Sequence, residues 1–157
     1  MTTFEELYRG YAPDVFRFAL YLSGNRHDAE DITAETFVRA FASPEPIRMS
    51  TVKGYLLTIA RNLFLKSRRG RKRDVELDDA LPDPKAGPGA RAESDSELAA
   101  VLAALQRLPE IDRAALSMRA ADEMPYDEIA RALGLSLSSV KVKIHRARLA
   151  LAPFRNA

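Results

Sequence analysis

Two short helical patterns meeting at a glycine, over Tyr126 to Leu151 (YDEIARALGLSLSSVKVKIHRARLAL), constrain this chain more than any other stretch. Ile129, Ala130 and Leu133 give the first an apolar stripe, and Gly134 supplies the backbone freedom to end it. Ser136 is a good N-cap for the second. There Leu137, Val140, Ile144, Ala147 and Leu151 recur at steps of three and four, the signature of one buried face. The opposite face carries Ser138, Val142, His145, Arg146 and Leu149, flanked by Ser139 and Lys141. Five Lys/Arg and no carboxylate lie from Leu137 to Ala157. This is the pattern of a helix-turn-helix, whose cationic second helix suits a DNA major groove. An αα-hairpin with a solvated basic face is the alternative.

The net charge of +2 hides strong segregation. Seven Lys/Arg and no acid lie from Arg61 to Arg73, and eight Asp/Glu against Lys85 and Arg91 lie from Asp74 to Glu97. Cationic, anionic and cationic blocks in series suggest two nucleic-acid-facing surfaces joined by an acidic strap. With no cysteine, disulfides and thiolate metal sites are excluded. No apolar run approaches a membrane span and no signal peptide opens the chain, so a cytoplasmic protein without membrane insertion is expected.

Along the chain, Phe4, Leu7, Tyr8, Tyr11, Val15, Phe18 and Leu22 have helical spacing, with Pro13 expected to break or kink the helix. Gly24-Asn25 reads as a stop and a cap. A second helix runs from about Arg26 to Phe41, with Ala29, Ile32, Thr36, Phe37, Ala40 and Phe41 on one side. Asp28, Glu30, Asp31 and Glu35 leave an exposed acidic face, for which plain solvation is the simplest account. Residues 43–51 read as a loop, and a third helix covers about Thr51 to Arg69, with Val52, Leu56, Ile59 and Leu63 inward. Beside them runs a stripe of Tyr55, Thr58, Asn62, Lys66 and Arg69, suited to single-stranded nucleic acid or simply half-buried surface. Residues 74–95 hold three prolines and two glycines with little periodicity, the composition of a linker. Two more helices, around Leu98 to Leu108 and Ile111 to Met118, lead into the helix-turn-helix. No stretch alternates with period two, so the fold class is all-α: two small helical domains joined by a flexible acidic linker.

Catalytic constellations are absent. There is no nucleophile elbow, no phosphate-cradling glycine loop and no His/Cys/Asp ligand spacing, so neither an enzyme, a metal site nor a cofactor is expected.

Three segments together carry a resemblance. DAEDITAETFVRAF (Asp28 to Phe41), GYLLTIARNLFLKSRR (Gly54 to Arg69) and the run from Leu105 to Leu151 are similar, in order, to the core-binding helix, the promoter-melting helix and the C-terminal DNA-binding domain of bacterial sigma factors. The chain resembles the extracytoplasmic-function (ECF) group of the sigma-70 family. The resemblance implies a core-binding and −10-melting domain over 1–73, a linker over 74–95 and a −35-reading domain over 96–157. It implies core RNA polymerase, through the β′ clamp helices and the β flap, and promoter DNA as partners, and it admits an anti-sigma factor. By resemblance, Asp28, Glu30, Asp31, Glu35 and Phe37 dock on polymerase, with Phe37 as an aromatic anchor in a charged rim. Tyr55, Thr58, Asn62, Lys66 and Arg69 handle the −10 strand, with a pocket for an extruded base completed by the loop at about 43–50. Ser139, Lys141, Val142, His145 and Arg146 contact the −35 bases, and Lys143 and Arg148 reach phosphates. Pro125 stands where the family often has a capping Ser, which leaves that helix start to Asp127 and Glu128. A helix-turn-helix regulator acting without polymerase is the alternative function, and it would need neither the acidic helix nor the Tyr55-to-Arg69 stripe.

Overall fold

The computed structural model describes residues 3–42, 49–77 and 93–154. They form seven α-helices and a terminal 3-10 turn, with no strand among the described residues: α1 (Phe4–Ser23), α2 (Arg26–Ala42), α3 (Val52–Leu77), α4 (Glu93–Gln106), α5 (Glu110–Ala120), α6 (Tyr126–Leu133) and α7 (Leu137–Leu151). Local chemistry sets most of the boundaries. Thr3 and Glu6 close a reciprocal capping box on α1, and Gly24, at φ 69°, ends it in the left-handed region. Asn25 then caps α2 by accepting from the Asp28 N–H at 3.0 Å. Pro109 and Pro125 stand at the N-caps of α5 and α6.

Three expectations are corrected. Pro13 breaks nothing, since α1 runs through it. The ring sits on an exposed position, while Val15, Phe18, Ala19 and Leu22 bury the face that holds the helix in place. The helix α3 extends past Arg69 to Leu77, and α4 begins at Glu93, so both ends of the expected linker are helical. Arg71, Lys72, Arg73, Glu76 and Leu77 favour helix and carry α3 past Gly70. Val52 and Leu137, expected inside, are exposed, and both lie in the first turn of a helix. Phe4, Tyr8 and Phe41 of the apolar spacings on α1 and α2 are exposed too, with their rings in contact with one another.

The two halves do not stand apart. Phe18, Leu22, Phe37, Leu56 and Leu57 from the first half belong to one buried cluster with Leu105, Met118, Ile129 and Ile144 from the second. α1 packs on α4 and α5 as well as on α2 and α3, and α3 packs on α6. Polar contacts frame this junction. Arg61 holds both carboxylate oxygens of Glu110 at 2.8–3.1 Å, and Gln106 donates to the Tyr21 carbonyl at 2.9 Å. The buried Arg113 donates to the Leu108 carbonyl at 3.0 Å and lies over the Phe64 ring, and burial lowers its pKa.

Asp122 joins the same junction from the turn after α5. Its Oδ1 accepts from Arg17 at 2.9 Å and faces the Lys53 ammonium at 3.8 Å, while its buried Oδ2 has no partner. Burial pushes the carboxyl above its ordinary 3.8, although Arg17 and Lys53 pull the other way. The folded chain therefore holds this proton to higher pH than the unfolded chain does. The contribution is fully present below 3.8 and is lost as pH rises through the folded value. Asp122→Asn is expected to remove this decline, measured as the difference between wild-type and variant urea curves from about pH 4 to pH 7. Parallel curves would show that the proton is not retained.

Candidate nucleic-acid interface

The helix-turn-helix is built as its sequence foretells. Gly134, at φ 68°, ends α6, and the Leu135 N–H donates back to the Ala130 carbonyl at 2.9 Å. Ser136 caps α7 by accepting from the Ser139 N–H at 3.2 Å. Val140, Ile144 and Ala147 are buried, which anchors α7 against α5 and α6. Lys141, Val142, His145, Arg146 and Arg148 are exposed, Val142 to 60%, and Ser139 and Lys143 are half-buried. All seven −35 candidates thus lie on or beside the free side of α7. Lys141 lies over the Tyr126 ring at 5.9 Å, and Arg119 lies over the same ring at 4.8 Å.

Arg146 differs from its neighbours in being held. Its Nε donates to Asp112 Oδ2 at 2.7 Å and an Nη to Oδ1 at 2.8 Å. The Asp112 side chain is fully buried on α5, whereas that of Arg146 is 57% exposed. The hydrogen bond to Asp112 raises the already high guanidinium pKa. No linear spacing in the sequence announces this pair, because the two residues lie 34 positions apart on different helices.

The −10 stripe on α3 is narrower than expected. Asn62, Lys66 and Arg69 form an exposed column, and Tyr55 is half-buried against the core. Thr58 is corrected from this set: it is buried and donates its hydroxyl to the Gly54 carbonyl at 2.7 Å. The reason is that α3 is covered by α1, α2 and α6, which is more than a one-sided helical wheel assumes. Of the loop expected to complete the base pocket, 43–48 lie outside the described residues.

The acidic face of α2 also divides. Glu30, Asp31 and Glu35 are exposed, with Asp31 near His27 at 3.3 Å and Glu35 accepting from Arg39 at 3.1 Å. Asp28 is buried, which corrects its place on an exposed face. Phe37 is corrected as a surface anchor: it is 0% exposed and meets the Tyr8 ring edge-on at 5.0 Å. Asp31 and Glu35 share a groove of about 450 Å³ with Lys66 and Leu63 of α3, so the acidic face of α2 adjoins the Asn62–Lys66–Arg69 column. Among the described residues no cluster of His, Cys, Asp or Glu could hold a metal ion. No helix there is long and apolar enough to cross a membrane.

The family description "Sigma-70 region 2" matches residues 7–74, and "Sigma-70, region 4" matches residues 98–151. The chain is 42% identical to the ECF RNA polymerase sigma factor SigE of Mycolicibacterium smegmatis over 94% of its own length, but spans only 60% of that relative. It is 31% identical to the ECF RNA polymerase sigma factor SigM of Bacillus subtilis, covering 98% of this chain and 96% of that one. Among solved structures, the sigma factor RpoE of Bartonella quintana, in complex with the anti-sigma factor NepR, superposes with a TM-score of 0.77 at 26% identity, covering 98% and 97% of the two chains. Region 2 and region 4 in order, on an all-helical fold shared with ECF proteins along nearly the whole chain, make this protein a member of the sigma-70 family of RNA polymerase sigma factors, in its ECF group.

Proposed function

We propose that this sigma-family initiation factor divides promoter reading between two helices, α7 for the −35 duplex and α3 for the melted −10 strand. One observation carries the reading: the chain presents a capped second helix with an exposed Lys141–Val142–His145–Arg146 face and, on another helix, an exposed Asn62–Lys66–Arg69 column. A regulator that only binds duplex has no use for the second. On α7, exposed Val142 suits a thymine methyl, and Lys141 and His145 supply donors to base edges. On α3, the Asn62 amide can both donate to and accept from a displaced base, while Lys66 and Arg69 neutralise phosphates. Glu30, Asp31 and Glu35 supply the charged docking surface for the polymerase clamp, without Phe37. The reading places the chain in the cytoplasm beside polymerase, assigns it no catalytic residue, and includes an anti-sigma partner of the kind solved with RpoE.

Run-off transcription with core polymerase tests it, and absence of any promoter-dependent transcript overturns it. Asn62→Ala is expected to lower the extent of −10 opening roughly three- to tenfold, the worth of one hydrogen bond. Permanganate footprinting reads the opening, with upstream duplex contact unchanged. Normal opening in this variant removes Asn62 from the pocket.

A further inference from the structure

We infer that Asp112, on the helix behind the recognition helix, is a positioning residue that aims Arg146 at a guanine. The inference rests on the proposed −35 reading by α7 and adds to it a residue that touches no DNA.

A guanidinium carries five N–H donors in one plane. Asp112 takes the Nε–H and one Nη–H at 2.7 and 2.8 Å, two bonds in a side-on fork. Two bonds to one carboxylate fix both the plane and the rotation of the group. Of the three donors left over, two lie on the end-on edge formed by the two Nη atoms, which Asp112 does not occupy. That edge has the parallel pair of N–H groups that guanine O6 and N7 accept.

Burial decides the direction. The Asp112 side chain is fully enclosed, and that of Arg146 is 57% exposed, so the grip comes from inside the domain and the free edge faces out. Arg146 follows Val142 by one helical turn, and Val142 is 60% exposed, so the held guanidinium belongs to the open face of α7. An unheld arginine carries much rotamer freedom into binding, whereas a gripped one has already lost it. Asp112 thus converts a flexible cation into a rigid reader. A phosphate contact needs charge but no such fixed plane.

The test uses holoenzyme assembled from the full chain and core polymerase, binding a promoter library with a randomised upstream duplex. Wild type is expected to select at least one G·C pair at which 7-deazaguanine, lacking the N7 acceptor, weakens binding about tenfold. Asp112→Asn keeps the shape but loses the charged grip. It is expected to reduce the guanine preference at that pair about tenfold while preferences at other positions persist. Arg146→Lys, which keeps the charge without the fork, should act likewise and serves if Asp112→Asn fails to fold. The inference is overturned if Asp112→Asn lowers the melting temperature yet leaves the guanine preference intact, for then the pair is only a clamp between helices. It is equally overturned if Arg146→Lys leaves that preference intact, or if Arg146→Ala weakens all sequences alike and flattens the salt dependence, the mark of a phosphate contact. A wild-type holoenzyme that selects no upstream duplex element at all sinks the −35 reading itself, a different and distinguishable result.

Discussion

Phe37→Ala is expected to lower the unfolding free energy by about 3–5 kcal/mol, the cost of emptying an aromatic site in a packed core. Phe37 is fully buried in the shared cluster and meets Tyr8 edge-on, with Phe4 stacked on Tyr8 beyond it. Deleting the ring leaves a cavity that rigid helices fill poorly, and it removes the aromatic contact. A chain of this size has a total stability on the order of 5–15 kcal/mol, so the loss is a large share. Urea unfolding measures it. Polymerase binding by the variant should then decline only in proportion to the unfolded fraction. The opposite split is expected for the paired change Asp31→Ala with Glu35→Ala. Both side chains are exposed, so stability should move within about 0.5 kcal/mol for each while polymerase affinity falls. If Phe37→Ala instead kept its stability and lost polymerase, the ring would be an anchor after all.

Removing Glu128 is expected to be nearly as costly, and its cost should depend on position 54. Glu128 is buried in the first turn of α6, yet its carboxylate serves α3. The Thr51 N–H and hydroxyl both donate to Glu128 Oε1, at 3.0 and 2.8 Å, and the same hydroxyl accepts from the Gly54 N–H at 2.9 Å. In an ordinary capping box the carboxylate comes from the N3 residue of the same helix. Here N3 is Gly54, which has no side chain, and the carboxylate arrives from 77 residues away. Two hydrogen bonds to a buried charge place Glu128→Ala at roughly 2–4 kcal/mol destabilising. Gly54 is what lets the carboxylate in, since a Cβ there would stand 2.6 Å from Oε1. Gly54→Ala should therefore destabilise wild type despite the better helix propensity of alanine. In the Glu128→Ala background the same change should cost less, although Met49 Cε and Thr51 Oγ1 would still stand 3.0 Å from the new Cβ. A double-mutant cycle with additive effects would show that residue 54 and Glu128 do not share the space.

Much of this could be read from the sequence, wherever the cause is local. Gly134, Ser136, Gly24 and Asn25 act on backbone groups within a few residues, so their roles follow from residue type and position. Val140, Ile144 and Ala147 follow from the period of α7 alone. Periodicity fails where covering is not one-sided or not continuous. Thr58 sits beside the inward face on a wheel, but it is buried on a helix that packs against three others. Phe37 is different: its spacing puts it on the apolar side of α2, the anchor role comes from the resemblance alone, and the Tyr8 ring of α1 covers it.

By itself, then, the sequence determined an all-helical chain with a helix-turn-helix, an exposed polar and basic face on α7 and a cationic column on α3. These depend on hydrogen bonds and spacing within one or two turns. Only the tertiary structure decided which charges are free to meet a partner. Asp112 is committed to Arg146, Glu128 to Thr51, Glu110 to Arg61 and Asp122 to Arg17, across separations of 34, 77, 49 and 105 residues. A carboxylate on the surface and one at a helix junction look the same in a sequence. What separates them is the cost of desolvation, which each junction offsets with a partner that only folding brings within 3 Å or so.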